Sequence, residues 1–218
     1  MILEQLALVI HVLGWVFWLG TDLGVLLACR YAERGSLSVE TRLTLLEVGM
    51  ILDRLPRFAV PLVWGSGVIL SEKMGYGFLP VPLGLIITAL WLVATYLITF
   101  TEQNSKPFTY GLWGQTFFYG AVILGMGLGA SSLLYSGEIP LWLALKWYAY
   151  VIVAISALVL EKYFVPVIAG FQQLATEGAT EVGNAQLSAD LKPVYAAVLS
   201  IYSGTLLAGL AGLLKPIL

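Results

Sequence analysis

Long runs of apolar residues set the strongest limit on how this chain can fold. A bilayer has a hydrocarbon core roughly 30 Å thick, which takes about 20 helical residues to cross. Six runs approach or exceed that length: residues 6–28, 43–71, 83–100, 116–135, 141–160 and 193–214. Backbone polar groups in lipid must be satisfied within the segment, and no polar-apolar alternation indicates a barrel. The sequence therefore predicts an all-α, polytopic membrane helix bundle with six transmembrane helices in a single domain, residues 1–218.

The composition of the chain agrees with this fold class and excludes several others. Of 218 residues, 59% are hydrophobic and 11% are charged, whereas a soluble domain carries about 25% charged residues. The net charge of −2, the single cysteine and the scattered Lys and Arg residues exclude a nucleic-acid binder and a disulfide scaffold. We expect the lipid bilayer as a partner, and glycine-rich helix faces leave room for a homo-oligomer or a partner in a larger membrane complex.

The second run, residues 43–71, is less apolar than the others. Only Arg57–Leu70 is strongly apolar, and the stretch Val39–Leu55 before it is amphipathic. We expect one helix that begins in the amphipathic stretch and tilts or kinks at Pro56 and Pro61, because proline removes a helical hydrogen bond.

Basic residues are concentrated at alternate ends of the runs. With an exterior N terminus, two basic residues fall outside, Lys73 and Lys215. Eight fall inside or at the inner boundary: Arg30, Arg34, Arg42, Arg54, Arg57, Lys106, Lys162 and Lys192. Because Lys and Arg are retained on the cytoplasmic side, we predict both termini on the outer, periplasmic side of a bacterial inner membrane. The largest inner loop is expected over about residues 171–191, is acidic in character, and is interpreted as a short helix and loop rather than a domain.

The first run carries a polar and aromatic stripe along one helix face. At about 100° per residue, one azimuth is shared by His11, Trp15, Trp18, Asp22 and Cys29. An ionisable group at a helix centre in lipid costs at least about 2.5–3.5 kcal/mol, so each one is a candidate for function. As the only histidine, His11 is a candidate metal or haem ligand, proton carrier or hydrogen-bonded packing residue.

Lys146 lies in the fifth run at about the depth that His11 has in the first. The two residues could share an intramembrane pocket, in which His11 supplies a nitrogen ligand and Lys146 balances an anionic charge or supplies a second ligand. The alternative is that Lys146 extends its ammonium group outward to water. Aromatic residues near the ends of the runs are interpreted as interfacial anchors: Tyr110, Trp113, Tyr135 and Trp142.

A second group of charges lies at the inner boundary. Asp53 and Arg57 are four residues apart and can pair along one helix, with Arg54 beside them and Asp22 at a similar depth on the first helix. We interpret this group as a salt-bridged staple, in which Asp22 and Asp53 have a structural or proton-relay role. The alternative is that Arg54 and Arg57 bind an anionic group of a cofactor or a lipid.

Two short motifs resemble one group of bacterial membrane proteins. The motif HVLGWVFWLG at residues 11–20 is similar to the opening helix of the copper-resistance D family and the HemJ-type protoporphyrinogen oxidases. The motif WLALK at residues 142–146 is similar to the start of a later helix in the same group. The resemblance covers about residues 5–70 and 140–160.

This resemblance implies a helix bundle in which His11 and Lys146 face a shared interior pocket. It implies haem b in the HemJ-type members and a role in copper handling in the copper-resistance members. The HemJ-type members carry a further histidine where this chain has Ile155 and Ser156. We therefore expect a diverged member of the group.

Three functions are compatible with the sequence. The first is a haem-associated or metal-associated membrane protein that uses haem b or copper, with His11 as the ligand and Lys146, Arg54 and Arg57 available to anionic groups. The second is a small transporter or channel, and the third is a non-catalytic accessory subunit of a larger complex. No catalytic triad, zinc spacing or nucleotide fingerprint is present, so the sequence does not decide whether the chain is an enzyme.

Overall fold

Seven α-helices make up the part of the chain that the computed structural model describes, residues 2–215. They are α1 (Ile2–Ala32), α2 (Val39–Leu52), α3 (Arg54–Lys73), α4 (Val81–Phe100), α5 (Lys106–Tyr135), α6 (Leu141–Glu177) and α7 (Glu181–Leu213). Five of these helices, α1, α4, α5, α6 and α7, are long and apolar enough to cross a membrane. The predicted class, an all-α polytopic membrane bundle, is confirmed, and the side on which the termini lie stays a prediction.

The second predicted span is two helices, so the prediction of one kinked helix over residues 43–71 is wrong. The chain breaks at Asp53, three residues before Pro56. Pro56 has no N–H, and its ring clashes with the carbonyl group four residues earlier, at Leu52, where α2 ends. Pro61, by contrast, lies inside α3. Of the six predicted spans, the second therefore corresponds to α3, whose 20 residues match the bilayer thickness but which is too polar to count with the other five helices.

The inner segment expected over residues 171–191 as a short helix and loop is nearly all helical, so its loop is shorter than predicted. Helix α6 continues to Glu177 and α7 begins at Glu181, which leaves residues 178–180 as the connection. Gly178 ends α6 with a φ of +82°, a conformation that favours glycine. The Thr180 hydroxyl then caps α7 by accepting a hydrogen bond from the Gly183 amide at 3.0 Å. The polar residues of this region therefore lie on long helical extensions.

Six of the helices form a closed ring. Going round it, α1 packs on α3, α3 on α4, α4 on α5, α5 on α6, α6 on α7, and α7 on α1. The middle of the ring is filled by buried aromatic side chains: Trp18, Trp91, Tyr119 and Tyr150. This plug separates one end of the bundle, where a cavity opens, from the other end, where α2 packs on α1.

At the end of the bundle opposite the cavity, the Arg42 side chain on α2 connects three helices. Its side chain is fully buried; Nε donates to the Ala32 carbonyl at 2.7 Å and Nη1 donates to Asn184 Oδ1 at 2.8 Å. Burial lowers the pKa of the Arg42 guanidinium, and the Glu33 carboxylate opposes that shift. Helix α2 is therefore fixed to the end of α1 and the start of α7.

Candidate functional site: a cavity at one end of the bundle

A cavity of about 500 Å³ opens between α1, α3, α6 and α7, at the end of the bundle where α1 begins. Its volume lies within the roughly 300–1,000 Å³ of small-molecule and cofactor sites. Five tryptophans line it: Trp15, Trp18, Trp64, Trp142 and Trp147. Large aromatic walls of this kind suit a flat apolar ligand.

Trp142 is one of four aromatic residues interpreted from the sequence as interfacial anchors, and for this residue the interpretation is wrong. Its side chain is 8% exposed and lines the cavity. The other three, Tyr110, Trp113 and Tyr135, are at least 60% exposed. An aromatic residue at the end of a span therefore has two possible environments, which hydropathy does not separate.

His11 lines the cavity and has its ring held from one side. Its Nδ1 lies 3.0 Å from the Val63 carbonyl oxygen and 3.1 Å from Ser66 Oγ, both on α3. A carbonyl oxygen can only accept, so Nδ1 carries the proton and donates it to Val63. Nε2 is then the basic nitrogen, and it makes no hydrogen bond within residues 2–215. The ring is oriented and one nitrogen is left for a ligand.

Lys146 lines the same cavity, on the α6 side. Its ammonium nitrogen is next to Gly212 of α7, where a Cβ would be only 3.1 Å away. The absence of a side chain at Gly212 gives the ammonium group room between the two helices. The structure therefore brings His11 and Lys146 to one cavity, as their equal depth predicts.

The α7 wall of the cavity is built from small residues. Gly204, Ala208, Gly209 and Gly212 all line it. At Gly209 a Cβ would overlap the Trp15 indole, whose Nε1 donates to the Thr205 carbonyl at 2.9 Å. The position of the Trp15 ring, and the width of the cavity beside it, therefore depend on the absence of a side chain on α7.

The cavity floor is formed by Trp18 and Tyr150, which are buried in a T-shaped contact with ring centroids 6.0 Å apart. The Tyr150 hydroxyl donates to the Val60 carbonyl at 2.7 Å. Below the floor, the Asp22 carboxylate interacts with Trp18 and with Asp53. The stripe on α1 thus continues from the cavity into a second polar region.

This second region, the inner polar cluster, consists of Asp22, Asp53, Arg57, Gln115, Tyr119 and Glu161. Arg57 Nε donates to Asp53 Oδ2 at 2.5 Å, and Gln115 Nε2 donates to Glu161 Oε1 at 2.5 Å. Arg57 also interacts electrostatically with Tyr119 and Glu161. Asp22 Oδ2 is a buried oxygen without a hydrogen-bond partner in the described chain. One guanidinium group therefore acts on two carboxyl groups, those of Asp53 and Glu161.

The two arginines proposed from the sequence as cofactor ligands lie away from the cavity. Arg57 belongs to the inner polar cluster, and Arg54 is exposed, with its guanidinium carbon 5.4 Å from the centre of the Phe100 ring. Neither residue lines the cavity. The structure therefore brings together His11 and Lys146, and separately Asp22, Asp53 and Arg57.

Several residues of both regions were missed by the sequence analysis. Met74, Met126 and Lys215 line the cavity, and Gln115 and Glu161 complete the inner polar cluster. Lys215 had a usable signal, because it follows the last apolar run on the side where Lys146 lies. Met126 and Gln115 had none, since a single residue on an apolar helix does not show which neighbour it faces.

A search of residues 2–215 for three or more His, Cys, Asp or Glu side chains that could hold a metal ion finds no such group.

The fold and the cavity define the chain as a multi-pass membrane protein with an aromatic, histidine-bearing cavity at one end of its bundle. Comparison with known proteins finds no family model, no curated protein and no solved structure that matches it.

Proposed function

We propose that this protein binds haem b in the cavity and that His11 Nε2 would hold the iron. The observation that carries the proposal is the His11 ring, whose Nδ1 donates to the Val63 carbonyl while Nε2 has no partner in the described residues. Histidines that bind metals nearly always donate their other N–H in this way, which fixes the tautomer and raises the basicity of the ligand.

The other walls of the cavity fit a porphyrin. Its volume of about 500 Å³ and its tryptophans accommodate a flat apolar macrocycle of that size class. Lys146 is placed to pair with an acidic side chain of the cofactor. When bound, haem supplies one-electron chemistry, and the residues of this chain bind it, orient it and set the polarity around it.

A second candidate is a copper protein, and it rests on a different observation. Met74 and Met126 line the cavity together with His11. One imidazole and two thioethers form a soft ligand set that favours Cu(I) over harder cations. Copper binding and haem binding would use the same His11 nitrogen, so one protein molecule would hold only one of them.

Absorption spectroscopy on purified protein tests both candidates. The protein is purified in mild detergent, reconstituted with haem b, and its spectrum is recorded before and after reduction. We expect a Soret band with stoichiometric haem, lost in His11→Ala and partly restored by free imidazole, which can occupy the space of the deleted ring. Absence of a Soret band with stoichiometric Cu(I) would favour copper, and absence of both would refute each candidate.

We also propose that the cavity opens toward the outer side of a bacterial inner membrane. The excess of Lys and Arg at the opposite end of the bundle supports this orientation. Cys29 is buried, so an introduced thiol can be labelled against a low background. In intact cells, a membrane-impermeant maleimide should label Ser136→Cys at the cavity end and leave Ala179→Cys unlabelled. The reverse pattern would invert the orientation.

A further inference from the structure

Two ammonium groups, on different parts of the chain, line the cavity. Lys146 belongs to α6, and Lys215 follows the end of α7. Lys215 Nζ is 6.0 Å from the centre of the Trp142 ring, and Lys146 Nζ is beside Gly212. Lys215 is close enough for its charge to act on that of Lys146. Two positive charges are therefore held close together at the end of a cavity whose other walls are mainly aromatic and aliphatic.

Neither lysine has an acidic partner among the residues that the structure describes. Within residues 2–215 neither makes an ion pair or a hydrogen bond. Two carboxylates at this end of the bundle have other partners: Glu4 pairs with Lys73 at 3.1 Å, and Glu138 accepts a hydrogen bond from Ser136 at 2.7 Å. Lys146 is also only partly exposed, so water solvates it incompletely. Two unpaired like charges beside an apolar cavity repel each other, and a bound anion removes that cost.

We propose that Lys146 and Lys215 form a carboxylate-binding subsite, so that the cavity selects an amphipathic acid with an apolar body against the tryptophans and its acid group between the two ammonium groups. The subsite would define which ligands the proposed haem site accepts. Only the haem arm of the test below rests on the proposed function. Two kinds of molecule share this chemistry, namely a porphyrin with propionates and a fatty acid. The subsite recognises the carboxylate that they have in common.

The haem arm compares haem b with its dimethyl ester, which has the same macrocycle and no carboxylate. We expect the Lys146→Gln, Lys215→Gln double variant to bind haem b about tenfold more weakly than the original protein, a charge-assisted pair being worth that much or more. Its affinity for the dimethyl ester should be unchanged. The matched control is Lys73→Gln, at the same end of the bundle but paired with Glu4, and it should bind both ligands normally.

The fatty-acid arm does not depend on haem. A brominated fatty acid quenches tryptophan fluorescence on contact, and five tryptophans line the cavity. We expect saturable quenching by the acid, weaker quenching by its methyl ester, and loss of the difference in the double variant. If haem fails to bind but this arm succeeds, the proposed function is wrong and the subsite stands. If the original protein treats acid and ester alike in both arms, the subsite is refuted.

Discussion

The imidazole of His11 is joined to the backbone of Val63, 52 residues later in the chain, by a hydrogen bond of 3.0 Å from Nδ1 to the carbonyl oxygen. This bond fixes which face of α1 packs against α3. It also divides the two nitrogens of the ring into a structural one and an available one. Their roles can be separated by substitution.

We predict that His11→Asn retains the fold and loses the ligand, whereas His11→Leu loses both the ligand and stability. The asparagine amide nitrogen occupies the place of Nδ1 and can donate to Val63, but it has no counterpart of Nε2. Leucine removes the donor that α1 supplies and leaves the Val63 carbonyl with the Ser66 hydroxyl at 3.1 Å as its side-chain donor, a loss that costs about 1 kcal/mol. Thermal unfolding in detergent measures the difference, and equal melting temperatures of the two variants would contradict a structural role for Nδ1.

Arg57→Ala should destabilise the protein by about 2–3 kcal/mol, because it leaves the Asp53 and Glu161 carboxyl groups of the inner polar cluster without their guanidinium partner. Arg57 does not line the cavity, so the affinity for haem should remain. The control is Arg54→Ala, an exposed residue whose contact with Phe100 is worth under about 1 kcal/mol. Denaturant unfolding and haem titration of both variants check the prediction.

The same cluster allows a rescue experiment. Glu161→Gln keeps an oxygen that can accept from Gln115 and removes one negative charge. Combined with Arg57→Ala, it should recover part of the lost stability, since fewer carboxylates then lack a cation. A double variant no more stable than Arg57→Ala alone would show that Glu161 is not part of the electrostatic balance.

The parts of this site that sequence reasoning found follow from helical geometry alone. The 3.6-residue period predicts that His11, Trp15 and Trp18 share a face, and all three line the cavity. Counting residues from the ends of the spans predicts that Lys146 has the depth of His11. The first relation needs only the geometry of a single helix, and the second needs only the depth of each residue in the bilayer.

Relations between helices were out of reach. Whether α6 turns Glu161 toward Gln115 on α5 depends on helix rotation, which the near-uniform hydropathy of these segments does not fix. The break at Asp53 was within reach, because the effect of Pro56 on Leu52 follows from backbone sterics. The extent of α6 was harder to predict, since its polar end resembles a loop in composition and is helical up to Gly178.

Arg42 is predicted to be the most sensitive charged position outside the spans. Arg42→Met should cost about 3 kcal/mol, because the Ala32 carbonyl and Asn184 lose a buried charged donor. Arg42→Lys should also be less stable than the unsubstituted protein, since one ammonium group cannot reproduce the guanidinium fork that reaches both acceptors. Asn184→Ala, which removes one acceptor, should cost less than Arg42→Met. Full stability of the lysine variant would show that charge alone suffices.

The close approach of α3 and α4 at Gly65 gives a final prediction. A Cβ at Gly65 would overlap the side chain of Thr88, which is itself buried and donates to the Gly84 carbonyl at 2.8 Å. Gly65→Ala should therefore force the helices apart and cost about 1–3 kcal/mol. Gly125 on α5 is the matched control, since its Cβ would meet no atom within 4 Å. Gly125→Ala should stabilise its helix by up to about 1 kcal/mol. Opposite shifts in the two unfolding midpoints would confirm the packing, and a stable Gly65→Ala variant would contradict it.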